Sequence, residues 1–344
     1  MEPEELRLNG KLSRRDFLKI SAAGAALIGA ASGSSCSREA IIPKKMLGRT
    51  GMNVSILALG GGSALSMVKK DEDALALIDL ARRKGVNYFD SGSDYDNGKS
   101  EMRLGEALAP YRKDVYLSTK YSPSKSPDEI RKNFETSLKR FRTDYLDNAN
   151  MHGLTKPTDA ELMFTSGALE TLVKLKEEGV VKHIGVTNHR PIPCVEAMKR
   201  FQFDSVSMAT NATRMHFLDE FAGPAEGSFE DAAIPLGLEQ GIGIWAFKVT
   251  GQRRLIQQKD EPDKAPGLEL IRYAYSLPVH GVILGMSTLE QVESAAKLAS
   301  SFKPMTKEEM KYWNDRLAPN ATPLTLDYLR EGYVDDGGWR AHLA

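Results

Sequence analysis

The sequence predicts an α/β protein, a (β/α)₈ TIM barrel with an N-terminal signal segment and a C-terminal extension. Two observations carry the barrel. From Lys45 onward, short apolar runs alternate with amphipathic helical stretches over about 250 residues, the length and rhythm of eight strands closing on themselves. The competing doubly wound sheet lacks its signature. Its first strand-to-helix turn would be "LGGGSALS", which is not GxGxxG, and Asp90, which ends the second run, is followed by a tyrosine that suits ribose binding badly.

In chain order, the N-terminus is set aside first. "SRRDFLK" (Ser13–Lys19) leads into "ISAAGAALIGAAS", a charged stretch followed by a modest apolar run of small residues. This is the form of an export signal, and the run is too short for a stop-transfer helix. Arg14 and Arg15, with Ser before and Phe-Leu-Lys after, resemble the twin-arginine export motif of bacteria, which implies the twin-arginine machinery as a partner and a periplasmic or cell-envelope destination, the alternative being the cytoplasm. Cys36 lacks the Leu that a lipidated cysteine usually has three positions before it. Residues 1–40 are expected to be signal and linker, 45–318 the barrel and 319–344 a tail.

The strand-like runs are "VSILALG", "VNYFD", "DVYLSTK", "YLDNANMH", "VKHIGVTN", "FDSVSMATN", "IGIWAFK" and "VHGVILG". Between them lie helical stretches such as "DEDALALIDLARRKG", "SEMRLGEALAPYR", "SPDEIRKNFETSLKRF" and "SGALETLVKLKEEG". Ser126-Pro127-Asp128-Glu129 starts a helix, with a capping side chain, proline at the first helical position and acids in the first turn. Gly85 and Gly179 stand where helices should stop. Residues 250–266 form a long polar loop, and the tail holds too many Gly and Pro for one element. Phe217, Phe221, Phe229, Tyr333 and Trp339 are expected to pack the tail onto the barrel, the alternative being that they line a pocket.

Composition excludes more than it suggests. Lys+Arg and Asp+Glu both number 46, so there is no general electrostatic reason to expect nucleic acid or an anionic membrane. Two cysteines, Cys36 and Cys194, make neither a disulfide framework nor a metal site. His152, His183, His189 and His216 show no ligand spacing, so no metal is expected.

Side chains at the C-terminal ends of barrel strands converge on one mouth. There the sequence places Asp90, with Tyr95 in the loop that follows, then Lys120, His152, Thr187 and Asn188, Ser207 and Asn211, Lys248, and Gly285-Met286-Ser287. A tyrosine, ordinarily titrating near 10, is a poor proton donor to a carbonyl at neutral pH. An ammonium within reach stabilises the phenolate and brings the donor toward its working range. An aspartate beyond the lysine keeps it charged and in place, and a histidine can hold the substrate oxygen in line. The four together form a proton relay onto an oxygen whose carbon receives a hydride. Asp94, beside Tyr95, reads as a loop acid.

Several stretches, taken together, resemble the aldo-keto reductase superfamily across 45–305. "NYFDSGSDYDNGKSEMRLGEAL" is similar to its F-D-T-A-x-x-Y-G-x-G-x-S-E-x-x-L-G-x-A-L signature. "KMLGRTGMNVSILALGGG", "LSTK", "DYLDNANMH", "HIGVTN" and "VILGMSTLEQVESA" match further blocks in order. The resemblance implies an NAD(P)-dependent oxidoreductase using NADP(H) or NAD(H), with a tetrad of Asp90, Tyr95, Lys120 and His152 and Tyr95 as general acid/base. It implies that Thr187, Asn188 and Ser207 hold the nicotinamide carboxamide and that Phe247 stacks on its ring. Gly251, Gly285, Ser287 and Gln291 would face the phosphates and adenosine. A small carbonyl or sugar-like alcohol is the implied substrate, and a monomer is expected, an oligomer being the alternative.

The chain departs from the family at several positions. Ser207 replaces a usual Gln, Thr187 a usual Ser, and Met286 and Gln291 stand where a cation often meets an adenosine 2′-phosphate. Ser294 and Ala295 replace Glu-Asn. Losing that cation weakens the preference for NADP over NAD. Asn148 and Asn150 are polar where the family is aliphatic. These departures keep an alternative open: an exported barrel that binds a carbohydrate or partner protein with little or no turnover.

Overall fold

The computed structural model describes residues 41–155, 157–214, 228–258, 261–330 and 333. The signal segment, Cys36, His216, Phe217, Phe221 and Trp339 lie outside them. The chain divides into Met1–Glu39 and Ala40–Ala344, and the second unit is the barrel.

The first apolar run serves two elements. Strand β1 (Lys44–Met46) and β2 (Asn53–Ser55) form an antiparallel hairpin, and β3 (Leu57–Gly60) enters the barrel. The ladder breaks at Ser55, whose N–H donates to Asn87 Oδ1 at 2.7 Å and whose hydroxyl donates to the Leu57 carbonyl at 2.7 Å. Then follow β4 (Tyr88–Asp90), β5 (Tyr116–Tyr121), β6 (Leu146–Leu154), β7 (Val181–Asn188), β8 (Ser205–Ala209), β9 (Gly243–Phe247) and β10 (Gly281–Gly285). These eight strands close in the order β10-β3-β4-β5-β6-β7-β8-β9, and every pairing is parallel.

Period-two alternation sorts each strand's side chains. Leu57, Leu59, Phe89, Leu117, Met151, Val186, Met208 and Leu284 face outward into the main core under the helices. A second, smaller cluster joins Ala58, Tyr88, Trp245 and Ile283 to Leu47, Met52 and Val54 of the hairpin. Leu47 packs on Gly243, the first residue of β9, where a Cβ would come within 2.5 Å of it. The hairpin therefore stoppers the end of the barrel opposite the strand C-termini.

The helix signals are seen where expected. Ser126 and Glu129 form a complete capping box before Pro127–Phe141. Gly85 and Gly179 adopt left-handed φ of 100° and 81° just after helices Asp71–Arg83 and Ala168–Glu177. The described part of the tail packs on the barrel. Asp327, fully buried, meets Arg254 at 3.4 Å and Arg330 at 3.2 Å, and Tyr328 OH accepts from Asn211 Nδ2 at 2.8 Å. Tyr333 OH accepts from Lys248 Nζ and from Gln252 Nε2, each at 2.9 Å. Among the described residues, no helix is long and apolar enough to cross a membrane.

Candidate active site

Asp90 ends β4, Lys120 stands one residue before the end of β5, and His152 lies near the end of β6. These are adjacent strands, so the three side chains meet. Lys120 Nζ donates to Asp90 Oδ2 at 2.5 Å and also to the Ser91 carbonyl. Both charged side chains are nearly inaccessible, at 4% and 7% exposure. A buried ion pair persists only when its remaining valences are met, and removing one partner typically costs about 3–5 kcal/mol. Here Asp90 Oδ1 accepts a further bond from Ser118 Oγ at 3.1 Å.

Tyr95 is brought to this pair by a clamped loop. Ser91 N donates to the Ser118 carbonyl at 2.8 Å and Ser93 N to the Lys120 carbonyl at 3.2 Å, extending β4's pairing into the loop. Arg140 donates to the Ser93 carbonyl at 2.8 Å while pairing at 3.1 Å with Glu101, a carboxylate pushed up by its complete burial. The Tyr95 ring lies over Gly92, where a Cβ would come within 2.9 Å of the ring carbons. Glycine is required there by close approach. The ring is 5% exposed, with Lys120 Nζ 4.8 Å from its centroid. Tyr95 OH is 3.5 Å from His152 Nε2, and the two rings meet edge to face at 5.6 Å. A hydroxyl and an imidazole nitrogen at this spacing can both address one substrate oxygen.

The other expected residues are distributed around the same mouth. Thr187 and Ser207 are register partners on β7 and β8. The Thr187 hydroxyl is turned toward β6, accepting from Gly153 N at 2.8 Å and lying 3.4 Å from the Met151 carbonyl. Asn188 is fully buried, and neither its Oδ1 nor its Nδ2 has a hydrogen-bond partner among the described residues. These two orphaned amide atoms at the end of β7 match a carboxamide, which offers one acceptor and one donor. Phe247 ends β9, half-buried, with His189 edge-on at 5.5 Å. Gly251 adopts a left-handed φ of 55°, and its Cα faces Leu255 and Leu326 of the tail. Gly285 ends β10, exposed. Ser287 donates through N–H and hydroxyl to Gln291 Oε1 at 2.8 and 3.3 Å, beside a cleft of about 440 Å³ lined by Lys69, Lys70, Asp73 and Thr288.

Sequence reasoning passed over Ser118 and Ser205, and considered His189 only as a metal ligand. The signal for Ser118 was present: it precedes Lys120 by two residues in "LSTK", so alternation puts both inside the barrel. His189 gives no such sign; its contacts with Phe247, Tyr328 and Tyr333 come from distant elements. Among the described residues, no group of three or more metal-ligating side chains comes together.

The sequence profile of the aldo/keto reductase family matches residues 57–269, and that of the twin-arginine translocation signal sequence matches residues 11–31. An uncharacterized oxidoreductase of Bacillus subtilis, YqkF, is 26% identical over 299 residues, covering 78% of this chain and 94% of that protein. The L-galactose dehydrogenase of Arabidopsis thaliana is 27% identical over 281 residues, 73% of this chain and 86% of that enzyme. The fold is shared with the aldo-keto reductase AKR11C1 of Bacillus halodurans in its holo form, at a TM-score of 0.64 and 24% identity, covering 80% of this chain and 96% of that one. The profile spans more than half of the chain and takes in the strands that bring Asp90, Lys120 and His152 together, so this protein is an oxidoreductase belonging to the aldo/keto reductase family.

Proposed function

We propose that the chain is an exported NAD(P)(H)-dependent oxidoreductase that interconverts a carbonyl and an alcohol, with Tyr95 as the proton donor and acceptor. The observation that carries the reading is the meeting of Tyr95, His152 and the buried Asp90–Lys120 pair at the C-terminal mouth. The orphaned amide of Asn188 supports the cofactor, since its two atoms match a nicotinamide carboxamide. Phe247 would lie against the nicotinamide ring and Ser207 beside the carboxamide. Gly251, Gly285, Ser287 and Gln291 would address the phosphates and adenosine, and Thr187 would act mainly by bracing β6, given where its hydroxyl points.

When bound, the nicotinamide supplies or accepts the hydride. The chain's own residues do the rest. His152 donates a hydrogen bond that orients the substrate oxygen, and Tyr95 OH hands its proton to that oxygen. Lys120 stabilises the phenolate left behind, and Asp90 keeps the ammonium in place. In the reverse direction the phenolate takes the alcohol proton. The kinship with L-galactose dehydrogenase makes a sugar-like alcohol or the corresponding carbonyl the substrate class to test first. The twin-arginine signal directs the folded protein toward the periplasm or cell envelope. Native mass spectrometry of the purified protein, with titration of NADH and NADPH followed by fluorescence, tests the cofactor. A bound dinucleotide or micromolar affinity is expected. Absence of both would favour a carbohydrate- or partner-binding barrel, a reading to which the turned-away Thr187 and the short Ser207 lend their weight.

A further inference from the structure

Beneath the mouth, one side of the barrel interior is polar. Ser118 of β5, Asn148 and Asn150 of β6 and Ser205 of β8 are at most 2% exposed, at heights where such barrels ordinarily stack branched apolar side chains. Their hydrogen bonds have a definite direction. Asn150 Nδ2 donates to the Thr119 carbonyl at 3.1 Å and to Ser118 Oγ at 2.9 Å. Both of its protons are committed, and reversing the amide would set its oxygen against a carbonyl. Asn150 Oδ1 accepts from Asn148 Nδ2 at 3.1 Å, and the same nitrogen lies 3.1 Å from Tyr88 OH and 2.9 Å from Ser205 Oγ. Ser118 Oγ thus receives a proton from Asn150 and has its own to give. Its acceptor is Asp90 Oδ1, 3.1 Å away. Strand β7 leaves room for this chain, because a Cβ on Gly185 would overlap Asn150 Oδ1 and Ser205 Oγ.

We propose that Ser118, Asn150 and Asn148 are positioning residues for the proton donor: a hydrogen-bond chain inside the barrel that fixes the Asp90 carboxylate, and through it Lys120, under Tyr95. The proposal rests on the functional reading of Tyr95 given above. A carboxylate held by one oxygen can pivot, whereas a donor on each oxygen fixes its plane and keeps its negative charge where Lys120 needs it. Removing the Ser118 hydroxyl frees Asp90 Oδ1. Replacing Asn150 by an apolar residue lets the Ser118 hydroxyl turn away. In either case the ammonium is held less firmly and the phenolate of Tyr95 is less favoured. The charged and titratable groups around Tyr95 are Lys120, His152 and Asp90 in the mouth, Tyr88 below, Asp94 and Asp96 beside it in the loop, and the Glu101–Arg140 pair behind.

The test compares Ser118→Ala, Asn150→Leu and Ser118→Thr with the wild-type full chain. The readouts are alcohol oxidation against pH, dinucleotide affinity, thermal stability, and the tyrosinate absorbance titration of each protein minus that of its own Tyr95→Phe version. Ser118→Ala and Asn150→Leu are expected to lower kcat about 5- to 20-fold, with KM and dinucleotide affinity within about twofold, the scale of losing one charge-assisted hydrogen bond. The midpoints of the rising oxidation limb and of the Tyr95 titration should move to higher pH by about 0.5–1 unit. Ser118→Thr, which keeps the hydroxyl, should restore both. If Ser118→Ala does not fold, Ser118→Cys, close in volume and a weak donor, carries the same expectation. Unchanged midpoints beside a lowered melting temperature would overturn the proposal and leave the chain a purely structural network. Failure of the functional reading looks different: the wild type would neither bind dinucleotide nor turn over, while the Tyr95 titration would still report whether the interior chain acts on it.

Discussion

Tyr95 owes its position to what its neighbours lack as much as to what they supply. Its ring rests on Gly92 and its hydroxyl reaches His152 at 3.5 Å, so any side chain at 92 displaces the phenol. Gly92→Ala is expected to lower kcat at least tenfold while dinucleotide affinity and melting temperature change little, because small displacements of a reacting group are costly and the ring can swing outward without opening the core. Steady-state kinetics with a binding titration checks it. At this scale the sequence was readable where chemistry and motif coincided. Asp90, Tyr95, Lys120 and His152 sit at strand ends or in the loop that follows, and alternation brings the strand residues inside. Asn148 and Asn150 were visible as polar residues with no evident purpose. Their partners, Tyr88, Ser118 and Ser205, come from three other strands, and no local pattern announces a pairing across a barrel.

At the scale of elements, the seam between β9 and β10 depends on a titrating side chain. His280 N donates to the Ile244 carbonyl at 2.9 Å, and His280 Nδ1 accepts from Ile244 N at 2.9 Å. Burial, with Lys45 nearby adding to it, lowers this imidazole from 6.5 to about 4. The sign follows from linkage: the folded chain resists a proton that the unfolded chain accepts, so the stabilisation is complete above about 6.5 and drains away as pH falls toward 4. Between pH 7.5 and 5 the loss should be about 2 kcal/mol. His280→Asn, which keeps an acceptor and does not titrate, should lose less over the same range in urea unfolding. Equal losses in both proteins would mean that this histidine does not govern the seam. The split of the first apolar run belongs to this scale too. "VSILALG" reads as one strand, but Ser55 and Asn87 cross-link near its start, and residues 32 apart in sequence show no local sign of doing so.

For the whole molecule, the alternation of runs and helices was enough to specify eight parallel strands, because a closed barrel repeats one local unit. The tail was not legible in the same way. Its anchors are single long-range contacts, such as Asp327 with Arg254 and Tyr328 with Asn211. The signal at 11–31 adds a prediction about where the barrel works. Replacing Arg14 and Arg15 together by Lys should retain the protein in the cytoplasm with its barrel folded and its activity intact, as cell fractionation and assay of each fraction would record. Undiminished export would mean that the pair is not the address. The claim on which the whole account turns is that Tyr95 moves the proton at a nicotinamide-dependent site. It is tested most directly by the single-turnover rate of carbonyl reduction with saturating NADPH or NADH in wild type and Tyr95→Phe. The account predicts a loss of about 100- to 10,000-fold with dinucleotide affinity within about twofold. An unchanged rate in Tyr95→Phe would contradict it.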